Sequence, residues 1–276
     1  MSSQESQESQ ETRDAAESEV VTERRGPVLV VRINRPEARN AFNVPVMAGI
    51  GSSLLEADRD PEIRAVVLTG TGDRAFCAGM DLRAFAAGGS EPDVALRQGL
   101  AAFGGFTSGS GGCDKPVICA AQATALAGGL ELVLACDLAV VAEDAKLGLP
   151  EVKRSLFAAG GGMYLARRIP LARALELTMT GDPITPSEAL ALGLINAVAP
   201  AHEVLDRALE LAGRIAANGP LGVQASKRLV RMAAFEPLAE VRKVHDEMRQ
   251  SVFASADAKE GATAFVERRT PVWHGR

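Results

Sequence analysis

The feature that most constrains this chain is the run Leu126-Ala127-Gly128-Gly129-Leu130-Glu131-Leu132-Val133-Leu134-Ala135-Cys136, apolar except for one carboxylate. A helix over this run is buried on most of its faces, so the fold must supply structure on every side of it. Glu131 then sits near the start of a buried helix. An unpaired ionised carboxylate is costly there, so Glu131 must be paired, protonated or poised at a cavity. From this run alone two readings stand side by side: a structural ion pair or cap, and a functional acid. Paired glycines at a helix start leave N–H groups free at the positive end of the helix dipole. A carboxylate beside such donors suits proton transfer coupled to oxyanion stabilisation. The same glycines also permit tight helix–strand packing.

Around this run the chain alternates strands with helical stretches through about residue 150, which predicts an α/β body. Val28–Ile33, Ala65–Thr69, Pro116–Ala120 and Leu138–Val141 read as strands, with order beginning near Val28. Pro45–Ala57 reads as a helix that stops before Asp60-Pro61. From about Leu171 onward the pattern is helical, with a Thr185-Pro186-Ser187-Glu188 start signal. Helical spacing follows over 202–217, 221–234, 237–254 and 257–267. The expected organisation is a Ser/Gln/Glu-rich disordered tail over 1–19, an α/β core over 20–200 and a helical section over 201–276.

The formal charge of −5 lies entirely within residues 1–19, which hold six acids and one arginine, so the remaining body is neutral. That argues against nucleic acid or an anionic membrane surface as partner. No apolar run reaches the 18 residues of a membrane span, and no secretory leader pattern opens the chain, so a cytoplasmic protein is expected. Cys77, Cys113, Cys119 and Cys136 lack C-x-x-C spacing and read as buried free thiols of a reducing compartment. His202, His245 and His274 are scattered, and no metal site is expected.

Three further segments bear on chemistry. Gly70-Thr71-Gly72-Asp73-Arg74-Ala75 fits G-x-G-x-x-A, yet the following residues offer no long amphipathic helix, so a dinucleotide site is not expected. Phe76-Cys77-Ala78-Gly79-Met80-Asp81-Leu82 is a small-residue turn able to expose the Met80 N–H. Glu151, in Leu147-Gly148-Leu149-Pro150-Glu151, lies 20 residues after Glu131 across a predicted strand. A helix–strand return can bring both carboxylates to one cavity, where they could divide donor and acceptor roles on one water. The bland alternative, an exposed acid after a strand, is the better reading of Glu151 from spacing alone.

Taken in order, four motifs resemble the crotonase (enoyl-CoA hydratase/isomerase) superfamily. They are Asn34-Arg35-Pro36-Glu37-Ala38-Arg39-Asn40-Ala41, Ala75–Leu82, Leu126–Asp137, and Leu149-Pro150-Glu151 followed by Gly160-Gly161-Gly162. The resemblance implies a superhelix of repeated ββα units and a helical C-terminal section that builds trimers, often paired into hexamers. It implies an acyl-CoA thioester as substrate, with CoA entering as part of it and no further cofactor. The Met80 and Gly128 N–H groups match the family's oxyanion hole, and Glu131 and Glu151 match the two catalytic glutamates of hydratases. Arg39, Ala41, Ala78, Asp81, Leu82, Gly129 and Pro150 match substrate- or CoA-lining segments. Phe265 matches a region that often closes the site of a neighbouring subunit. The implied reaction is syn addition of water to a trans-2-enoyl-CoA. Isomerisation, another acyl-CoA reaction on the same fold, and non-catalytic acyl-CoA binding are the alternatives. The chain departs from the hydratase pattern at Ser155 and Ala158-Ala159, where glycine and Pro-Gly are usual. It also lacks the usual Gly within Gln122–Ala125, and Lys153-Arg154 adds charge beside the site.

Overall fold

The computed structural model describes residues 18–87 and 92–276. Residues 1–17, most of the expected disordered tail, lie outside the described residues. The strands are β1 (Val20–Arg25), β2 (Val28–Ile33), β3 (Ala65–Gly70), β4 (Val117–Ala121), β5 (Ala125–Leu126), β6 (Leu138–Ala142), β7 (Leu147–Gly148) and β8 (Ala197–Ala199). In the first part the helices are α1 (Val44–Arg59), α2 (Leu82–Ala87), α3 (Val94–Ser108) and α4 (Gly128–Ala135). Beyond them lie α5 (Leu171–Thr180), α6 (Pro186–Ala191), α7 (Val204–Ala216), α8 (Pro220–Phe235), α9 (Leu238–Phe253) and α10 (Ala256–Glu267).

The main sheet has the order β1-β2-β3-β4-β6-β8, antiparallel only between β1 and β2. β3 and β4 are buried along their whole length, as parallel strands covered on both faces must be. The strand β1 precedes the one expected from Val28 and pairs with it: Val20 lies opposite Ile33 and Arg25 opposite Val28. The exposed Thr22-Glu23-Arg24-Arg25 part of β1 hides it from a search for apolar runs. It also gives the sheet a charged edge, which discourages strand addition.

A second ladder of short extended stretches runs beside the main sheet. Phe42 bridges Met80, Cys77 bridges Ala125, β5 pairs β7, and Leu147 bridges Ile184. β2, β3, β4 and β6 are thus each followed by a short extended stretch and then a helical segment, which is the superhelix of ββα units that the motifs imply. The sequence reading does not include α3, whose interior carries Gly99, Gly104 and Gly105. Gly99 is what lets α3 meet α1 backbone to backbone: a Cβ on it would lie 2.4 Å from the Ala48 carbonyl oxygen. β8 interrupts the stretch read as wholly helical, its three residues being too short to show a period.

The C-terminal helices are tied down by two carboxylates, Asp137 half-buried and Asp257 buried. Asp137 accepts the Val117 N–H at 2.8 Å and pairs with Lys227 and Arg231 of α8 at 2.9 and 2.8 Å. Asp257, at the start of α10, accepts the N–H groups of His274 and Gly275 at 2.7 and 2.8 Å. All four cysteines are buried and free, and burial pushes the Cys77 thiol up to about 12. Among the described residues, no helix is long and apolar enough to cross a membrane.

Candidate active site

The helix α4 starts from a strained residue. Ala127 holds φ 53° and ψ −130°, a region that costs a non-glycine residue on the order of 1–3 kcal/mol. It is held there from both sides: its N–H donates to the Gly148 carbonyl at 2.9 Å, and its carbonyl accepts from Leu130 and Glu131 at 2.9 and 3.1 Å. Next to it, a Cβ on Gly129 would lie 2.0 Å from the Cys77 carbonyl oxygen, so only glycine fits. A Cβ on Gly128 would lie 2.8 Å from the Phe42 ring and 3.4 Å from the Gly79 Cα. The tight-packing reading of the glycine pair is therefore right. Gly128 is also the first residue of α4, and its N–H donates to no acceptor among the described residues.

The second free N–H comes from the second ladder. Phe42 N–H donates to the Gly79 carbonyl and Asp81 N–H to the Phe42 carbonyl, both at 2.7 Å. In a parallel bridge these two bonds belong to the residues flanking Met80, so Met80's own N–H faces away from Phe42. A Cβ on Gly79 would lie 3.0 Å from the Gly128 nitrogen, so the backbones carrying the two N–H groups are in contact. Met80 and Leu82 side chains are about half exposed. Asp81 is held in the loop: Oδ1 accepts from Arg83 and Ala84 N–H at 3.1 Å, and Oδ2 pairs with Arg35 at 3.1 Å. The Ala84 N–H, then Arg35, holds this carboxyl below the usual carboxylate range.

The structure brings the Arg39–Ala41 stretch against the Ala78–Leu82 loop, with Ala78 N–H donating to the Arg39 carbonyl at 3.1 Å. Arg39 is exposed, while Ala41 is buried. Asn40 is a residue to which sequence reasoning assigns no role. It is fully buried, accepts from Arg35 N–H at 3.0 Å, and donates to the Thr71 and Ala75 carbonyls at 2.9 and 2.8 Å. Its φ of 54° is one that asparagine tolerates, and this is the signal that could have flagged it.

Glu131 is 9% exposed, and its Oε1 accepts the Gly162 N–H at 3.0 Å. The Gly160-Gly161-Gly162 turn wraps this carboxylate: a Cβ on Gly160 would lie 2.8 Å from Oε2 and 2.9 Å from Cδ. The donor to Glu131 is thus the first amide of the 3-10 helix Gly162–Arg167, not a cation or the first turn of α4. Glu151 follows Pro150 at the start of the 3-10 helix Pro150–Arg154, and both residues are half-buried. The exposed-acid reading of Glu151 fails. Its Oε2 is buried with no hydrogen-bond partner among the described residues. Burial raises the Glu151 pKa, and the charge of Glu131 raises it further, against its own backbone N–H and Arg154. Glu151 therefore feels the charge of Glu131 across the α4–β6–β7 return. Phe265 lies on α10, where it is 86% exposed.

Comparisons with known proteins identify the family to which the fold belongs. A model of the enoyl-CoA hydratase/isomerase family matches residues 23–276. The chain is 41% identical over 261 residues to enoyl-CoA hydratase EchA19 of Mycobacterium tuberculosis, covering 94% of this chain and 97% of that one. It is 39% identical over 258 residues to a carnitinyl-CoA dehydratase of Salmonella paratyphi A, covering 92% of this chain and 97% of that one. A crystal structure of an enoyl-CoA hydratase from Mycobacterium marinum superposes with a TM-score of 0.86 at 43% identity, over 94% of this chain and all of the other.

Proposed function

The chain belongs to the enoyl-CoA hydratase/isomerase family, and from that premise we propose that it adds water syn across the double bond of a trans-2-enoyl-CoA, reversibly. The observation that carries this reading is the unlike setting of the two glutamates. Glu131 accepts a backbone N–H on Oε1, which leaves Oε2 to accept from water. Glu151 has a buried, unpartnered oxygen and a raised pKa, the condition for keeping a proton to give away. Water held between them is deprotonated by Glu131 as its oxygen bonds to C3. Glu151 delivers a proton to C2 on the same face. The enolate oxygen formed between these events takes hydrogen bonds from Met80 and Gly128 N–H, each such donor being worth about 2.7–4 kcal/mol of barrier. Exchange with solvent then restores the starting protonation.

Arg39, Ala41, Ala78, Asp81, Leu82, Gly129 and Pro150 form or brace the walls that receive the thioester and its CoA. CoA enters as part of the substrate, and the reaction calls for no other cofactor. The chain works as a homotrimer or a dimer of trimers, with Phe265 supplied to a neighbour's site. Four buried free thiols fit residence in the cytoplasm. Arg154, whose charge reaches Glu151, favours an uncharged acyl group over one bearing a cationic headgroup.

The test is loss of enoyl-thioester absorbance with crotonyl-CoA and a longer enoyl-CoA, for wild type, Glu131→Gln and Glu151→Gln. Turnover by wild type that drops in both variants supports a two-glutamate hydratase. A wild type that binds acyl-CoA and hydrates neither thioester overturns the reading.

A further inference from the structure

Resting on the oxyanion-hole reading above, we propose that Arg35 is a positioning residue that sets the Met80 N–H through both residues flanking its bridge. The bridge consists of Phe42 and Met80 alone. Arg35 Nη1 donates to the carbonyl of Ala41, the residue before Phe42, at 2.8 Å. Its Nη2 pairs with Asp81, the residue after Met80, at 3.1 Å. One planar guanidinium thus grips the chain on the outer side of each bridge partner. Its Nε pairs with Glu19 at 2.8 Å, and Glu19 in turn accepts Asn43 Nδ2 at 2.7 and 2.9 Å. The side chain is only 14% exposed.

The hub extends through the Arg35 backbone. Its N–H donates to Asn40 Oδ1, and its carbonyl accepts from Asn40 N–H at 2.8 Å. Arg35 therefore couples the left-handed Arg39-Asn40 turn, the Phe42–Met80 bridge and the cap of α2. Lysine keeps the charge but presents a point donor, and it cannot hold Ala41 and Asp81 in fixed relation. A donor displaced by about 1 Å from the charge it serves loses on the order of 10²-fold in rate. Ground-state binding depends on the remainder of the thioester and is less affected.

The experiment compares wild type, Arg35→Lys and Asp81→Asn; the second keeps the cap acceptor of α2 and removes the charge facing Arg35. Two readouts are taken: kcat and KM for crotonyl-CoA, and the red shift of a bound, conjugated dienoyl-CoA, which reports polarisation of the thioester carbonyl. Expected are a roughly 10- to 100-fold fall in kcat for Arg35→Lys, a change in KM below about threefold, and a reduced red shift. Asp81→Asn should move the same three quantities in the same direction by less, and it carries the test if Arg35→Lys does not fold. Both variants turning over with wild-type kcat and an unchanged red shift overturns the positioning role. A fall confined to KM does so too. A wild type with neither turnover nor red shift instead removes the hydratase reading on which the proposal stands.

Discussion

Glu151 holds its acidity where the fold leaves a carboxylate oxygen buried without a partner. Its raised pKa, caused by burial first, means that the folded chain keeps a proton that the unfolded chain releases. Hydration that uses this proton must slow as pH rises through the raised value. In Glu151→Gln that limb should vanish and the rate fall roughly 10²- to 10⁴-fold, as a pH profile of kcat will show. The stability sign is also determined: between the unfolded and folded values the native state binds more protons, so this group's contribution is present in acid and lost as pH rises. Glu151→Gln should therefore show a flatter pH dependence of Tm and melt no lower than wild type at neutral pH; a lower Tm there contradicts the account. Ser155 gives a second case. It closes the Pro150–Arg154 3-10 helix at φ 58°, in the left-handed region that glycine adopts without strain. Ser155→Gly should stabilise the chain by up to about 1 kcal/mol in urea unfolding, and a loss of stability would refute the strain. Both glutamates are visible in the sequence as residues. What surrounds them is not, since the Gly162 amide reaches Glu131 from 31 positions away and no local pattern encodes that distance.

At the level of elements, the strands β2, β3, β4 and β6 lie within a residue or two of where β-branched runs place them, because parallel strands buried on both faces need continuous apolar sequence. The Thr185 start signal forms a full capping box with Glu188. The elements that escape a sequence reading obey another demand: the polar edge of β1, the glycines of α3 and the brevity of β8. Glycine has opposite meanings in two helices, and this can be tested. Gly129 in α4 sits against the Cys77 carbonyl oxygen, which is main chain and cannot turn aside. Gly129→Ala should cost about 1–3 kcal/mol or more and lower activity with it, as overpacking against backbone does. Gly213 in α7 is exposed, and a Cβ there would meet nothing within 4 Å. Gly213→Ala should raise stability by about 0.5–1 kcal/mol with activity unchanged. Equal effects from the two substitutions in chemical denaturation would show that packing at Gly129 is looser than the geometry states.

For the molecule as a whole, the decisive feature is a set of apolar side chains that one copy leaves uncovered. Phe253 on α9 and Phe265 and Val266 on α10 are 79%, 86% and 80% exposed. Single exposed apolar residues are ordinary, but three large ones on two successive helices make the kind of surface that association covers. Periodicity cannot reveal this, because a helix face turned to a neighbour reads like one turned to a core. The expectation of a trimer comes from the motifs' resemblance, not from the helical pattern. Sedimentation equilibrium should return three or six times the 28.9 kDa chain mass. Phe265→Asp places a charge in the proposed contact and should shift the distribution toward smaller species while the far-ultraviolet circular dichroism stays unchanged. Because Phe265 is proposed to close a neighbour's site, the same variant should raise KM for acyl-CoA and change kcat less. A wild-type chain that sediments at the mass of one copy, or a Phe265→Asp variant with unaltered mass and KM, would leave the exposed face without this role and confine the site to a single chain.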